Sequence, residues 1–343
     1  MGITHVTEAE ECAVFRASWL GYRLVTLAHT SKAQSMSEEK RSILVFGATG
    51  QQGGSVIAAL ISDGWPVRAL VRDAGSAKSA ALHSAGVQLF QGSFASTESI
   101  HEAMKGVYGV FSVQPSSPQA AMYGVSDEDE VRYGISIADI AAQSGVKHLV
   151  YSSTAAVSEG LTGMGHMDSK AAIEAHIRSL NMRATIVRPA AFMEMLLMPG
   201  FGLDKGCFNF FMEPDQPMQL IAVPDIGRIV SAIFSAPERF AGKAIEIASD
   251  TVTGNDLETA FSEAAGRKIT YSRFSDEVLQ GNEFLAKLTA LNDSGRLAGK
   301  ADLEALRKIH PGLQSFRSWL AGPGRDAFLH ALGTADAWSY GHD

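Results

Sequence analysis

The sequence has little cysteine and no long apolar run. Its 343 residues include two cysteines, Cys12 and Cys207, which lie far apart. Two isolated thiols suit neither a disulfide framework nor the paired ligands of a zinc site, so we expect no metal and a reducing compartment, the cytoplasm. No apolar segment reaches the roughly 18 to 20 residues that cross a bilayer. We therefore expect no membrane partner.

Positive charge is also scarce. The chain carries 29 lysines and arginines against 37 aspartates and glutamates, a formal net charge of −8. A negative overall field disfavours direct binding to nucleic acid. The 46% share of hydrophobic residues is typical of a globular protein, and we expect a small molecule as the main partner. The sequence leaves open whether the protein is a monomer or a homodimer.

The first 40 residues match no targeting signal. Arginines interrupt their apolar stretch and acidic residues precede it, which suits neither a secretory signal nor a transit peptide. We expect residues 1–40 to be a poorly ordered extension. Met36 opens a short polar lead into the first apolar run, so we expect Met36 to be the natural start.

Glycine, by contrast, is concentrated in one place. The stretch "FGATGQQGGS" (46–55) follows an apolar run and precedes a helical pattern. Its G-x-x-G-x-x-G spacing lets the backbone turn sharply and approach a pyrophosphate, while the N-terminal N–H groups of the next helix face the anion. The expected cofactor contacts in this loop are Gly47, Thr49, Gly50, Gln51, Gln52 and Gly53.

The loop begins a repeated alternation of short apolar runs and helical segments. This pattern predicts an α/β fold: a doubly wound parallel-sheet Rossmann domain with a smaller α+β C-terminal substrate domain. We expect the Rossmann domain to span 41–195, with 225–250 returning to it. The rest of 196–343 is expected to form a substrate or lid domain with a helical tail.

The ends of the next three strands supply further cofactor contacts. "VRALVRD" (67–73) ends in Arg72 and Asp73, which point opposite ways. An arginine accommodates the 2′-phosphate of NADP, whereas a carboxylate binds the 2′-hydroxyl of NAD. We favour Arg72, supported by Lys78, and hence NADP(H) over NAD(H); the alternative is that Arg72 is an exposed strand end. The other expected contacts at these strand ends are Ser93, Phe94, Val113 and Gln114.

These pieces together resemble the NmrA-like family of atypical short-chain dehydrogenase/reductases. The resemblance covers roughly residues 41–275 and implies a Rossmann domain that binds NADP(H) beside a smaller domain that closes over a cleft. It also implies two kinds of relative, reductases of quinones, dyes or plant phenolics, and redox sensors that regulate other proteins. The matching motifs are "GATGQQGGSV", "VRALVRD", "VKHLVYSS", "HMDSKAAIEAHI", "RPAAFMEML" and "VPDIGRIVSAIF".

The usual catalytic tyrosine of short-chain dehydrogenases is missing. In their Tyr-x-x-x-Lys motif the tyrosine supplies a proton and the lysine holds the ribose. Here the matching positions are His166 and Lys170. We expect Lys170 to bind the ribose and His166 to donate the proton, or only to shape the pocket. Ser153, after the fifth strand, is a further catalytic candidate, although it could simply cap the strand end.

Two functions remain open at this point. The first is an NAD(P)H-dependent reductase of a hydrophobic acceptor, a quinone or conjugated carbonyl. The second is a non-catalytic NADPH/NADP sensor with a regulatory protein partner, which the missing tyrosine favours. We expect Pro189 and Phe192 to contact the cofactor. The apolar side chains expected to line the substrate cavity, or else to belong to the core, are Phe192, Met193, Met195, Phe208, Phe210 and Phe211.

Overall fold

The protein is described by a computed structural model that covers residues 42–117 and 124–333. The expected N-terminal extension and the proposed start at Met36 lie outside these residues. No helix within the two described ranges has the length and apolar character needed to cross a membrane.

A seven-stranded, wholly parallel sheet forms the centre of the molecule. Numbered along the chain, its strands are β1 (Ile43–Val45), β2 (Val67–Val71), β3 (Gln88–Gln91), β4 (Gly109–Ser112), β5 (His148–Ser152), β6 (Ala184–Pro189) and β10 (Ala244–Ile247). Their order in the sheet is β10-β6-β5-β4-β1-β2-β3, so the direction of winding reverses between β1 and β4. Such a reversal opens a crevice at the carboxyl ends of the strands, where ligands of this fold bind.

Helices cover both faces of the sheet, which explains why most of its strands are apolar on both sides. One core cluster joins one face of the sheet to the first, second and sixth helices, and another joins the opposite face to the third, fourth and fifth. The expected doubly wound parallel sheet is therefore confirmed. The six helices are α1 (Gln51–Ser62), α2 (Ala77–Ser84), α3 (Thr97–Met104), α4 (Asp127–Gln143), α5 (Gly165–Ser179) and α6 (Val223–Ser235).

A smaller group of elements follows β6. Two strand sets belong to it: β7 (Ala191–Phe192), β9 (Met218–Ile221) and β11 (Asp250–Val252) form one, and β8 (Cys207–Phe210) with β12 (Thr270–Arg273) the other. The sequence showed no regular period over β8 and β9 because both strands are only four residues long, and β9 is buried on both sides. The remaining helices are α7 (Pro237–Phe240), α8 (Gly254–Ala265), α9 (Asp276–Gly281), α10 (Glu283–Asp293), α11 (Leu303–Ile309), α12 (Phe316–Ala321) and α13 (Arg325–Gly333).

This smaller group has its own hydrophobic core. Aromatic rings dominate it; for example, the centroids of Phe208 and Phe261 lie 4.8 Å apart. Most of the apolar side chains considered for the cavity wall belong here instead, since Met193, Phe208, Phe210 and Phe211 are buried in this cluster. Packing among themselves and against α8 and α12 accounts for their apolar character.

Candidate active site

The glycine-rich loop joins β1 to α1 with very close backbone contacts. Gly47 has a φ of +64°, a left-handed conformation that favours glycine. A Cβ on Gly53 would lie 2.2 Å from the carbonyl oxygen of Gly47, so the first turn of α1 rests directly on the loop. The Gly50 N–H donates to the same oxygen at 2.9 Å. The spacing of the glycines thus fulfils the geometric need that the sequence indicated.

The N-terminus of α1 is suited to an anion. Its N-cap residue, Gly50, offers no side-chain cap, and the first turn contains no acidic residue. Thr49, Gly50 and Gln51 are exposed, whereas the Gln52 amide oxygen accepts a 2.6 Å hydrogen bond from Ser152 at the end of β5. Uncapped N–H groups and the helix dipole together favour a phosphate here. The residues present therefore fit the pyrophosphate of a dinucleotide.

At the tip of β2 the two candidate ribose residues differ in their local bonding. The Asp73 carboxylate accepts the Gly75 N–H at 2.8 Å and so closes its own turn. Arg72 and Lys78 are exposed beside it. Two exposed cations and one carboxylate, partly engaged by its own turn, therefore lie together at this tip.

Ser93 and Phe94 follow the third strand, and both are half-buried. The Phe94 ring packs between Phe46 and Tyr133, with centroid distances of 5.9 and 5.8 Å. These contacts occupy the Phe94 side chain in the core, so its backbone and Ser93 are the groups left for an adenine.

The residues after β4 include an unsatisfied polar atom. Gln114 is buried and donates from its side-chain nitrogen to Ser112 at 2.7 Å. Its side-chain oxygen is buried and has no hydrogen-bond partner in the described structure. A buried acceptor of this kind calls for a donor. The neighbouring Val113 packs against Gly47, since a Cβ on that glycine would lie 2.7 Å from its methyl carbon.

Lys170 on α5 is 14% exposed and points towards this same edge. Its ammonium donates to Glu130 at 2.7 Å, to Ser116 at 2.8 Å and to the His166 carbonyl oxygen at 2.9 Å. Glu130 is 1% exposed and lies on α4. The lysine therefore sits in a buried ion pair, and one of its three hydrogen bonds must be exchanged before it can hold a ribose.

His166 lies one helical turn before Lys170, at the start of α5. Its ring meets that of Phe284 on α10 with a centroid distance of 5.5 Å. Burial and the nearby Lys170 charge lower the pKa of His166, opposed by Asp127 and Asp168. The imidazole is thus mainly neutral at pH 7, which weakens it as a proton donor at that pH.

Ser153 is buried at the start of the loop after β5, and its N–H donates to Val187 at 2.8 Å. Its hydroxyl lies beside Glu174 on α5. The Ser153 hydroxyl is buried and has no hydrogen-bond partner among the described residues. Burial opposes ionisation of Glu174, but hydrogen bonds, chiefly from Arg188, lower its pKa overall. The Arg188 guanidinium holds that carboxylate through two bonds, at 2.9 and 2.7 Å. Arg188 and Glu174 therefore tie β6 to α5, while the Ser153 hydroxyl beside them has no partner among the described residues.

A cavity of about 530 Å³ opens beside His166. The smaller group of elements supplies one wall from α9 and α10, and the Rossmann sheet's own elements supply the other. Pro189 is buried at the end of β6 and Phe192 is half-buried in β7. Polar groups are common in this lining, which includes Ser117, Asp127, His166, Asn282, Phe284 and Lys287.

Several of these residues were missing from the sequence prediction. Glu130 was hidden within the acidic run Asp127–Glu130, which normally serves a helix N-terminus. Its spacing carried a signal, because Gly134 and Ile137 follow it at four and seven residues on the buried face of α4. Phe284 and Lys287 had no local signal, since only the tertiary fold brings α10 to His166.

Comparison with known proteins agrees with this architecture. The model of the NmrA-like family matches residues 39–305. An NmrA-like family domain-containing protein of Dictyostelium discoideum is 28% identical over 71% of this chain and 83% of its own length. The NmrA-like family domain-containing oxidoreductase FrzB of Cladobotryum is 32% identical over 67% of this chain and 75% of its own length.

Solved structures share the fold. NmrA, a negative transcriptional regulator solved with NAD, has a TM-score of 0.68 at 23% identity, covering 83% of this chain and 95% of that one. The Citrobacter triphenylmethane reductase complexed with NADP(H) has a TM-score of 0.68 at 21% identity, covering 83% and 99%. The NADPH-dependent quinone oxidoreductase of Escherichia coli has a TM-score of 0.67 at 21% identity, covering 81% and 98%. Taken with the family match over most of its length, these structures agree with the motifs: the chain belongs to the NmrA-like family.

Proposed function

We propose that the protein is an NADP(H)-dependent reductase of a quinone or a conjugated carbonyl compound. The observation that carries this proposal is the placement of the Lys170 ammonium 2.8 Å from Ser116, two residues after Gln114. The buried side-chain oxygen of Gln114 has no partner among the described residues. A cation and an open acceptor beside the switch point suit the ribose and carboxamide of a nicotinamide nucleotide. The oxidoreductase names of several relatives support the same reaction class.

The preference for NADP(H) rests on the tip of β2. Arg72 and Lys78 are exposed there, while Asp73 already accepts a backbone N–H. A 2′-phosphate would gain from two cations, whereas a 2′-hydroxyl would need the carboxylate that the turn uses. NmrA has been solved with NAD and with NADP, so the fold accepts both nucleotides.

In this proposal the side chains bind and orient the cofactor and the acceptor, and the reaction needs one proton to be delivered to the acceptor. When bound, the dinucleotide supplies the hydride. The N-terminus of α1 would hold the pyrophosphate, Lys170 would exchange its Ser116 bond for one to the ribose, and the Gln114 side-chain oxygen would accept a hydrogen bond from the carboxamide. The acceptor occupies the cavity with its ring against Phe284 and its oxygen towards His166. Because the pKa of His166 is lowered, water is the main proton donor at neutral pH, and the imidazolium donates more often as the pH falls.

The sensor remains a second candidate function. Its specific support is His166, which replaces a tyrosine and has a lowered pKa through burial. NmrA, a transcriptional regulator, shares the fold. A sensor would use the same nucleotide site but would need a regulatory protein as its partner, with different free energies of binding for the two redox states.

Anaerobic mixing with NADPH and a panel of quinones and conjugated carbonyls distinguishes the two functions. We expect loss of reduced-nicotinamide absorbance, and a rate at least tenfold lower in Lys170→Ala. Tight NADPH binding with no turnover on any acceptor would instead favour the sensor. The cofactor preference has its own test: Arg72→Glu should weaken NADP(H) binding far more than NAD(H) binding, and equal losses would contradict it.

A further inference from the structure

The Glu130–Lys170 pair is among the most deeply buried ion pairs that the described residues form. Glu130 is 1% exposed, and Lys170 is 14% exposed. The second carboxylate oxygen of Glu130 accepts a 2.9 Å hydrogen bond from Ser169. A buried carboxylate is costly unless it is paired and hydrogen-bonded, and this one has both kinds of partner. The core does not require a carboxylate at this position, because burying an apolar residue there would cost less free energy.

Close packing of α4 on α5 fixes the geometry of the pair. A Cβ on Gly134 would lie 2.5 Å from the Ile173 side chain, so the two helices approach as closely as their backbones allow. Glu130 and Lys170 lie one turn before these contact residues on their own helices. The close helix contact at Gly134 therefore places the Glu130 carboxylate within hydrogen-bonding distance of the Lys170 ammonium and restricts its movement away from it.

Of the three groups that hold the Lys170 ammonium, only Ser116 lies in the loop after β4. The His166 carbonyl oxygen belongs to the lysine's own helix, and Glu130 is buried behind it. Exchange of the Ser116 bond is therefore the change that disturbs the packed helices least. We propose that Glu130 is a positioning residue, which holds the charge of Lys170 at the carboxyl edge of β4 while leaving the Ser116 side open to a nucleotide ribose. This inference rests on the proposed nucleotide site.

The charges around the pair set the expected effect of pH. From α4, the carboxylates of Asp127 and Glu130 face the pair. On α5 itself lie His166, Asp168 and Glu174. Arg188 on β6 pairs with Glu174, and Tyr151 lies in β5. Burial and the charges of Glu130 and Glu174 raise the pKa of Tyr151 well above its usual value, so it stays neutral. Glu130 is the anion in direct contact with Lys170, so its removal is expected to move the alkaline limit of nucleotide binding to lower pH.

The test measures NADPH affinity between pH 6 and 10.5 by nucleotide fluorescence, in wild type and Glu130→Gln. We expect the pH midpoint at which affinity declines to move down by about one pH unit or more in Glu130→Gln. The matched control is Ser169→Ala, which removes the other hydrogen bond to the same carboxylate but keeps its charge. It should retain the wild-type midpoint.

A second pair of variants distinguishes the proposed role of Glu130 from a folding defect in Glu130→Gln. Arginine stays charged throughout this range. In a Lys170→Arg background, the further change Glu130→Gln should therefore leave the alkaline midpoint of NADPH affinity where it is. Glu130→Asp, which keeps the charge, should retain the wild-type midpoint with weaker binding. An unchanged midpoint in Glu130→Gln, or an equal shift in Ser169→Ala, would overturn the role of Glu130. Because the readout is binding, a wild type that binds NADPH without turnover contradicts the reductase and leaves this result interpretable.

Discussion

The two ends of the proposed nucleotide site are built in different ways. At the phosphate end, backbone groups of one short loop and one helix N-terminus would do the binding, and the glycines that permit this are three residues apart. At the nicotinamide end, side chains from separate elements meet, as when Lys170 reaches Glu130, 40 positions away. A local backbone site depends on space, whereas a site made of buried charges depends on pairing.

The phosphate end should be broken most severely by adding one carbon atom. In Gly53→Ala the new Cβ would meet the Gly47 carbonyl oxygen, a backbone atom that cannot move aside. We expect NADPH affinity to fall at least about 1000-fold, roughly 4 kcal/mol, in titrations followed by fluorescence or calorimetry. Gly54→Ala is the matched control, because its Cβ would lie an ordinary 3.6 Å from Ala48. Equal losses in both variants would show that space at residue 53 is not decisive.

The nicotinamide end should instead be sensitive to the loss of one charge. Glu174 is 1% exposed and holds Arg188 from β6 and Arg178 from its own helix. Glu174→Gln leaves a largely buried guanidinium without its anion, and we expect the free energy of unfolding at pH 7 to drop by roughly 3 kcal/mol in urea titrations.

The control for this prediction is an exposed pair next to the same strand. Glu238→Gln breaks the bond with Arg183, in which the glutamate is 79% exposed, and should leave stability nearly unchanged. A loss as large as that of Glu174→Gln would mean that burial is not what makes the inner pair important.

The half-buried carboxylate of Glu194 sharpens the comparison. Burial raises the pKa of Glu194 to about 7, helped by Asp225 and opposed by hydrogen bonds that include the Val223 N–H. The folded protein then keeps a proton that the unfolded chain releases above about pH 4.5, so stability declines as the pH rises through that window. Between pH 5 and 7.5 we expect wild type to lose about 2 kcal/mol more than Glu194→Gln in urea titrations. Parallel pH profiles for the two proteins would contradict the raised pKa.

The sequence was informative where structure follows from neighbours in the chain. The alternation of apolar runs and helical segments predicted the parallel sheet, and the glycine spacing predicted the sharp turn that the structure shows at Gly47. It left Phe208 and Phe210 open between cavity wall and core, because an apolar stretch has the same composition in both places, and the structure puts them in the core. It also passed over Glu130, since an acidic residue near a helix start usually faces water.

The sequence by itself determined the Rossmann sheet, the phosphate loop and membership of the NmrA-like family, since each depends on local periodicity or on residues close in the chain. Only the tertiary structure decided which charges are buried and with which partners. The approach of α4 to α5 at Gly134 puts Glu130 beside Lys170, and the approach of α10 puts Phe284 beside His166. The cost of burying a charge depends on what surrounds it in space, and that environment exists only after the helices have packed.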